Sequence, residues 1–121
     1  MNYSDVFLKD TSIELVKNVL PHPEKAIFKQ GFFPKSTIGD ERLSKEEFVF
    51  VNLDFDLYRP ILSGLEFFYP KMVRGGILLV HDYFSWSCRG AGEAVDKWCS
   101  DNNIIFTPIG DGMSIVITKA C

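Results

Sequence analysis

Two apolar segments of this chain each end in side chains that can bind metal or move protons. The segment FVFVNL is followed directly by Asp54 and, two residues later, by Asp56. The segment GGILLV is followed by His81 and Asp82. Apolar runs of this length, rich in Val, Ile and Phe, are typical of strands buried on both faces, as in a parallel sheet covered by helices. Since ligands bind beyond the carboxyl ends of such strands, the three acids and the imidazole are predicted at that edge.

Asp54 and Asp82 have the chemistry and the spacing of a metal site. One unit of strand, helix and strand separates them, so the two carboxylates are expected side by side on adjacent strand ends. Carboxylates completed by water and substrate hydroxyls suit Mg²⁺, whereas an imidazole ligand from His81 favours Mn²⁺, Fe²⁺ or Zn²⁺. The alternative is that these acids only begin turns or cap helices, and Asp56 is interpreted as the cap of the helix that follows.

His81 has three roles open to it, as a metal ligand, as a base near neutral pH or as a hydrogen-bond partner of a carboxylate. The aromatic residues that follow it, Tyr83, Phe84 and Trp86, favour a pocket wall near the same edge. The Gly-Ala-Gly sequence at residues 90–92 lacks the spacing of a dinucleotide fingerprint or a P-loop. The acids and the histidine are therefore the better candidates for chemistry.

Length and composition predict one soluble domain over residues 1–121. A chain of 121 residues with 46% hydrophobic content can form one core. The net charge of −3 and the lack of a basic stripe give no reason to expect a nucleic acid or an anionic membrane as partner. No apolar stretch approaches the roughly 20 residues of a membrane helix. The three cysteines fit neither a disulfide framework nor a zinc site and are interpreted as small apolar fillers, which favours a cytoplasmic setting: Cys88, Cys99 and Cys121.

Alternating helical and strand patterns predict the elements that position the site. Thr11 and Glu14 have the spacing of a capping box that begins a helix, and Pro21 ends it. A short strand is predicted at 26–30, followed by a loop with one helical turn at 32–46. The remaining predictions are a strand at 48–53, a helix at 60–69, a turn at 71–76, a strand at 77–80, a helix from 91 to about 102, and a hairpin of strands 104–107 and 114–118.

Five short motifs, in this order along the chain, resemble those of a known family. They are GFFP at 31–34, NLDFDLY at 52–58, YPK at 69–71 with the glycine pair at 75–76, HDY at 81–83 and GAGEAVD at 90–96. Together they resemble the macrocin and mycinamicin sugar O-methyltransferases. The resemblance implies an α/β, Rossmann-like class I methyltransferase fold with a mostly parallel sheet and a C-terminal antiparallel hairpin. It also implies S-adenosylmethionine as cofactor, a divalent metal, usually Mg²⁺, and a small-molecule substrate with vicinal hydroxyls.

The same resemblance implies roles for particular residues. Asp54 corresponds to the family's metal-binding acid after the fourth strand, and His81 with Asp82 to the paired acids after the fifth. The first of that pair is a histidine here, which departs from the family pattern. The resemblance thus implies His81 and Asp54 as catalytic residues, and Asp82 joins them as metal ligand. Gly31, Phe32 and Asp54 are the implied cofactor contacts.

One feature of the family has no counterpart in this sequence. In this fold the sulfonium cofactor lies on a glycine-rich turn after the first strand, and an acid after the second strand holds the ribose. Because the chain contains no such turn, it is expected to be the C-terminal portion of a methyltransferase domain that lacks the first two strands. The strand at 48–53 would then have a bare apolar edge, which invites pairing. Either the strand at 26–30 fills the vacant position, or a second copy pairs with the edge in a homo-oligomer.

The predicted function is therefore S-adenosylmethionine-dependent, metal-assisted O-methyl transfer to a hydroxyl of a sugar or natural product. One alternative is a non-catalytic methyltransferase remnant that serves in oligomerisation or binding, since the cofactor turn is lacking. Another is a nucleotide-sugar glycosyltransferase in which Asp54 and Asp56 form an Asp-x-Asp motif. The order of the flanking helix and hairpin fits the glycosyltransferase less well.

Overall fold

The structure is a computed structural model that describes residues 12–120. The chain divides into two compact units, Met1–Ser36 and Thr37–Cys121. The single domain predicted over residues 1–121 stays a prediction. Among the described residues, every helix is too short or too polar to cross a membrane.

In the part of the first unit that the structure describes, helix α1 lies at Ile13–Val19. Ser12 caps it, because its hydroxyl accepts a hydrogen bond from the Leu15 N–H at 3.1 Å. The capping residue predicted from the sequence, Thr11, lies outside the described residues. The helix ends before Pro21, as predicted.

The strand predicted at 26–30 is wrong. This segment is irregular, Ile27 is 66% exposed, and the segment pairs with no strand among residues 12–120. A strand is stable only when a neighbour satisfies its backbone groups and covers its apolar side chains, and three adjacent apolar residues between two lysines supply too little burial for that. The hypothesis that this segment fills the position beside strand 48–53 is wrong for the same reason.

The loop predicted at 32–46 is confirmed, with two short helical turns in place of one. They are a 3₁₀ turn at Lys35–Thr37 and helix α2 at Glu41–Lys45. Asp40 caps α2 by accepting a hydrogen bond from the Leu43 N–H at 2.9 Å.

The second unit is built on a mixed four-stranded sheet in the order β1-β2-β4-β3. Its strands are β1 at Phe48–Leu53, β2 at Met72–Val80, β3 at Thr107–Pro108 and β4 at Ile115–Thr118. β1 and β2 are parallel, as predicted, whereas β4 runs antiparallel to both β2 and β3. The described sheet is therefore mixed rather than mostly parallel. The C-terminal hairpin is confirmed, although β3 has only two residues.

Two helices cover one face of this sheet, α3 at Tyr58–Phe68 and α4 at Arg89–Asn102. Both helices lie within a few residues of their predicted bounds. Their apolar faces and one face of the strands form the core, whose fully buried members include Leu53, Ile61, Leu65, Leu78, Val95 and Ile117. The prediction that the strands are buried on both faces is wrong, because side chains alternate along a strand and α3 and α4 cover one face. On the other face Phe50 is 59% exposed and Ile77 is 42% exposed.

Strand β2 begins five residues earlier than predicted, so the turn expected at 71–76 is wrong. The Gly75 N–H donates to the carbonyl of Lys119 at 2.8 Å, and the Lys119 N–H donates to the carbonyl of Gly76 at 2.9 Å. Gly75 adopts a left-handed φ of 82°, and the register against β1 shifts between Phe48 and Phe50. The glycine pair therefore marks an irregularity inside a strand rather than a turn between elements.

Candidate functional site

The carboxyl ends of β1 and β2 bring the predicted site residues together. The His81 N–H donates to the carbonyl of Leu53 at 3.0 Å, which extends the parallel pairing one residue beyond β2. This bond places Asp54 beside His81. His81 Nδ1 lies 3.3 Å from Asp54 Oδ1 and 3.0 Å from Asp82 Oδ2. One possible ligand atom of each of the three residues lies within 4.8 Å of the others.

Two of the acids at this edge have an unusual backbone conformation. Asp82 has a φ of 67° and Asp56 a φ of 63°. The left-handed region is uncommon for residues other than glycine, although Asp and Asn tolerate it better than most. Strained conformations of this kind cluster at functional sites, where the fold holds a side chain in one direction. Asp82 is also the least accessible of the predicted ligands, with a side chain that is only 13% exposed.

Asp56 belongs to the same cluster, and its interpretation as a helix cap is wrong. The N-cap of α3 is Leu57, which makes no side-chain capping bond. The Asp56 carboxyl instead lies close to that of Asp82. Asp56, Asp82 and Cys88 form a second group of possible ligand atoms within 4.8 Å of one another. The Asp-x-Asp spacing could have indicated that Asp56 belongs to this cluster. No sequence pattern indicated Cys88, because it is the loop after β2 that brings Cys88 back to these acids.

The crowding of carboxylates changes the protonation of the site. Burial, followed by the hydrogen bond to Asp82 and repulsion from the neighbouring acids, raises the pKa of Asp56 from 3.8 to about 6. The contact with Asp82 raises the pKa of His81 above 6.5, against the opposing effect of burial. The neighbouring acids contribute to both shifts, because a bound proton relieves the negative charge at this edge, but burial is the larger cause at Asp56 and opposes the shift at His81.

Replacing Asp56 with Asn is expected to stabilise the metal-free protein at pH 7 to 8. The folded protein holds the Asp56 proton more tightly than the unfolded chain, whose ordinary pKa is 3.8. Stability therefore falls as the pH rises from about 4 to about 6, and the full penalty is present above about pH 6. The gain should be roughly 1 kcal/mol after solvent screening. It should disappear below about pH 4, where Asp56 is protonated in both states.

Urea unfolding of the metal-free protein between pH 4 and 8 measures this difference. The Asp101→Asn variant is the control, because Asp101 is exposed and pairs only with Lys97 on the helix surface. A stability gain for Asp56→Asn that is the same at pH 4 and pH 8 would contradict the assigned cause.

The arrangement of Asp54, His81 and Asp82 fits a divalent cation. His81 Nδ1 is a buried atom that makes no aligned hydrogen bond with any residue of the described chain, although two carboxylate oxygens lie close to it. A ring nitrogen facing two carboxylate oxygens is the donor set of a mixed N/O metal site. The role of these residues as ligands stays a prediction.

The implied cofactor contacts, Gly31 and Phe32, lie in the first unit. They follow the irregular segment 26–30, and Phe32 is 76% exposed. The strand that was expected to position them is not formed. Their contact with the cofactor stays a prediction.

The aromatic residues predicted to form a pocket wall do so. Tyr83, Phe84 and Trp86 line one side of a cavity of about 410 Å³. The first turns of α4 form its other side. The loop that begins directly after Asp82 therefore contributes to a pocket.

The chain is similar to known proteins in sequence and in structure. Residues 21–112 match the family described as macrocin-O-methyltransferase (TylF). The structure of the O-methyltransferase NovP is similar, with 24% identity and a TM-score of 0.56 over 63% of this chain and 31% of that chain. CalS11 is described as the TDP-rhamnose 3′-O-methyltransferase of calicheamicin biosynthesis. Its apo structure has 19% identity and a TM-score of 0.52 over 60% of this chain and 31% of that chain.

The chain spans about a third of the length of these solved structures, with 31% of each covered. At this level of identity the likeness is one of fold. No curated protein matches the chain.

Proposed function

Because this chain belongs to the macrocin O-methyltransferase family, we propose that it carries the metal and acceptor side of an S-adenosylmethionine-dependent O-methyltransferase. The proposed acceptor is a hydroxyl of a sugar or another hydroxylated natural product. The observation that supports this most is the convergence of Asp54, His81 and Asp82 at the carboxyl ends of two parallel strands. NovP and CalS11 are O-methyltransferases, and the CalS11 substrate is a nucleotide-linked sugar.

In the proposed reaction the residues at this edge orient the acceptor hydroxyl. A divalent cation, when bound, supplies Lewis acidity that lowers the pKa of that hydroxyl. Asp54 and Asp82 would hold the cation through carboxylate oxygens, and His81 through Nδ1, the atom that faces both acids. S-adenosylmethionine, when bound, would supply the methyl group to the acceptor oxygen, and S-adenosylhomocysteine would be the product. The hydroxyl proton passes to solvent. Positioning of the two reactants supplies much of the acceleration.

Replacing His81 with Asp is expected to change which metal the site prefers. An all-carboxylate site favours Mg²⁺, whereas the imidazole favours Mn²⁺, Fe²⁺ or Zn²⁺. The ratio of Mg²⁺ to Mn²⁺ affinity should therefore rise by about tenfold or more in the variant. Displacement of Mn²⁺ by Mg²⁺, followed by electron paramagnetic resonance, measures this ratio.

The His22→Asp variant is the matched control for this experiment. His22 is the other histidine of the chain, and its side chain is 66% exposed in the first unit. The control should leave the metal preference as it is in the unsubstituted protein. An unchanged preference in His81→Asp would remove His81 from the proposed ligand set.

Calorimetry tests the proposed function as a whole. S-adenosylmethionine, S-adenosylhomocysteine and a UDP-sugar would each be titrated into the protein with and without Mg²⁺. Binding of the first two supports the proposal. Metal-dependent binding of the UDP-sugar alone would favour the glycosyltransferase alternative.

The absence of any binding would favour the non-catalytic remnant. That alternative has an observation of its own, because β1 lies at an edge of the described sheet and Val49 there is 70% exposed. Sedimentation of the same samples measures the oligomeric state and so helps to distinguish the proposed methyltransferase from the non-catalytic remnant. A stable dimer that binds no ligand is what an oligomerisation module would give.

A further inference from the structure

We propose that the cavity beside the acidic edge is a carbohydrate subsite in which Trp86 forms the platform for a sugar ring. This assignment rests on the proposed function, since it locates a second part of the acceptor. The cavity measures about 410 Å³, within the range of about 300–1,000 Å³ that is typical of small-molecule pockets. It is lined by the loop after β2 and by the first turns of α4.

Trp86 is an aromatic surface that the protein core does not use. Its side chain is 88% exposed, whereas the other tryptophan of the chain, Trp98, is 7% exposed and belongs to the core. The Arg89 guanidinium lies 5.7 Å from the centre of the Trp86 ring. This contact orients the indole, and most of the ring surface stays accessible. The negative face of an aromatic ring attracts the C–H groups that line one face of a sugar ring.

The polar groups of the cavity are both donors and acceptors. Asp96 accepts a hydrogen bond from the Tyr83 hydroxyl at 2.5 Å, which holds its carboxylate in place. Glu93 lies one turn earlier on the same face of α4, and Arg89 lies one turn before Glu93. The guanidinium donates only, and the carboxylates accept only. A sugar hydroxyl does both, so this set matches a polyhydroxylated ring.

The charges of the cavity disfavour the other ligand classes. A cationic ligand would compete with Arg89 for the Trp86 ring and would be repelled by it. An anionic ligand would meet the carboxylates of Glu93 and Asp96. An uncharged, hydroxylated ring avoids both conflicts. The cavity therefore favours a neutral carbohydrate.

The loop that forms the cavity wall is held rigidly next to the acidic edge. The Ser85 N–H donates to the carbonyl of Asp82 at 3.1 Å, and the Phe84 N–H donates to the carbonyl of Met113 at 3.2 Å. Gly92 permits close contact with α4, because a Cβ there would lie 2.8 Å from the Tyr83 carbonyl oxygen. One short segment thus carries both an acid of the proposed metal site and the wall of the subsite. A sugar ring bound on Trp86 would therefore lie next to the carboxyl ends of β1 and β2, where the acceptor hydroxyl is proposed to react.

Nuclear magnetic resonance of the ¹⁵N-labelled protein tests this inference. The two tryptophans give two indole N–H signals that can be followed separately. Methyl β-D-glucopyranoside and methyl α-L-rhamnopyranoside would be titrated without metal or cofactor, in the presence of a chelator. The Trp86 signal should shift and saturate with a Kd on the order of 1 mM, as expected for a ligand of this size. The Trp98 signal should stay in place.

Substitutions of Trp86 test whether glycoside binding depends on its ring. Trp86→Ala should weaken glycoside binding about tenfold or more, whereas Trp86→Phe should retain most of it. Ile105→Ala is the matched control, because Ile105 is also 88% exposed but lies outside the cavity. It should bind the glycosides as the unsubstituted protein does.

Three outcomes would overturn the subsite. They are a shift of the Trp98 signal alone, full binding by Trp86→Ala, and tighter binding of choline or inorganic phosphate than of either glycoside. The titration contains neither metal nor S-adenosylmethionine, so its result does not depend on methyl transfer. Failure of the subsite and failure of the proposed function are therefore distinguishable.

Discussion

Replacing Asp82 with Asn is expected to lower the affinity for Mn²⁺ or Mg²⁺ by about 100-fold or more, since even groups that only orient a metal ligand contribute 10–100-fold. Asp82 is the residue that both groups of possible ligand atoms share. Its side chain is 13% exposed and lies 3.0 Å from His81 Nδ1. Loss of its charge would leave the proposed cation with one carboxylate fewer in a partly buried position. The proposed methyl transfer should fall with it to background.

Asn is the informative substitution at this position. The φ of 67° at Asp82 lies in the left-handed region, which Asn tolerates about as well as Asp. Alanine would combine the loss of the ligand with backbone strain. Asp82→Asn therefore removes the charge while the loop keeps its conformation. An unchanged circular dichroism spectrum and thermal midpoint would confirm that the fold is intact.

Mn²⁺ titration followed by electron paramagnetic resonance measures the effect on binding. Asp101→Asn is the control, because its carboxylate is on the helix surface and contributes only an exposed pair with Lys97 at 3.0 Å. The control should bind Mn²⁺ as the unsubstituted protein does. Equal Mn²⁺ affinity in Asp82→Asn would exclude the metal site as proposed.

Replacing Gly90 with Ala is expected to lower the free energy of unfolding by about 1–3 kcal/mol, the usual range for forcing extra volume into a packed interface. Gly90 lies in the first turn of α4, where the helix contacts the beginning of α3. A Cβ at this position would lie 2.6 Å from the backbone nitrogen of Tyr58 and 3.0 Å from its Cβ. Because a backbone atom is the nearest obstacle, a rotamer change cannot relieve the clash, and the two helices must move apart.

The expected loss of stability in Gly90→Ala is opposite to the effect that helix propensity alone would give. In an exposed helix the same change stabilises by about 1 kcal/mol, because glycine has more backbone freedom to lose. Gly110→Ala is the matched control, since a Cβ there would have no atom within 4 Å. It should change stability by less than about 0.5 kcal/mol. Urea unfolding of the two variants measures the difference, and equal midpoints would show that the helices do not approach each other this closely.

Local patterns in the sequence were sufficient for the elements that carry their own periodicity. Strand β1 was predicted with its observed bounds, and helices α3 and α4 within a few residues. The sequence also predicted that Asp54, His81 and Asp82 meet, because the ends of adjacent parallel strands share one edge whatever else the fold contains. These conclusions depend only on side-chain spacing and on the direction of consecutive strands.

Several features were decided by tertiary contacts and have no local signature. Segment 26–30 has strand-like residues but pairs with no strand in the described part of the chain. The glycine pair before residue 77 is part of β2, because it forms backbone hydrogen bonds with Lys119. Asp56 lies beside Asp82 instead of capping α3, and the loop after β2 places Cys88 close to the same two acids. Each outcome depends on which distant backbone or charge is within reach. By itself the sequence determined where the acidic edge forms, and only the packed structure decided which other groups share it.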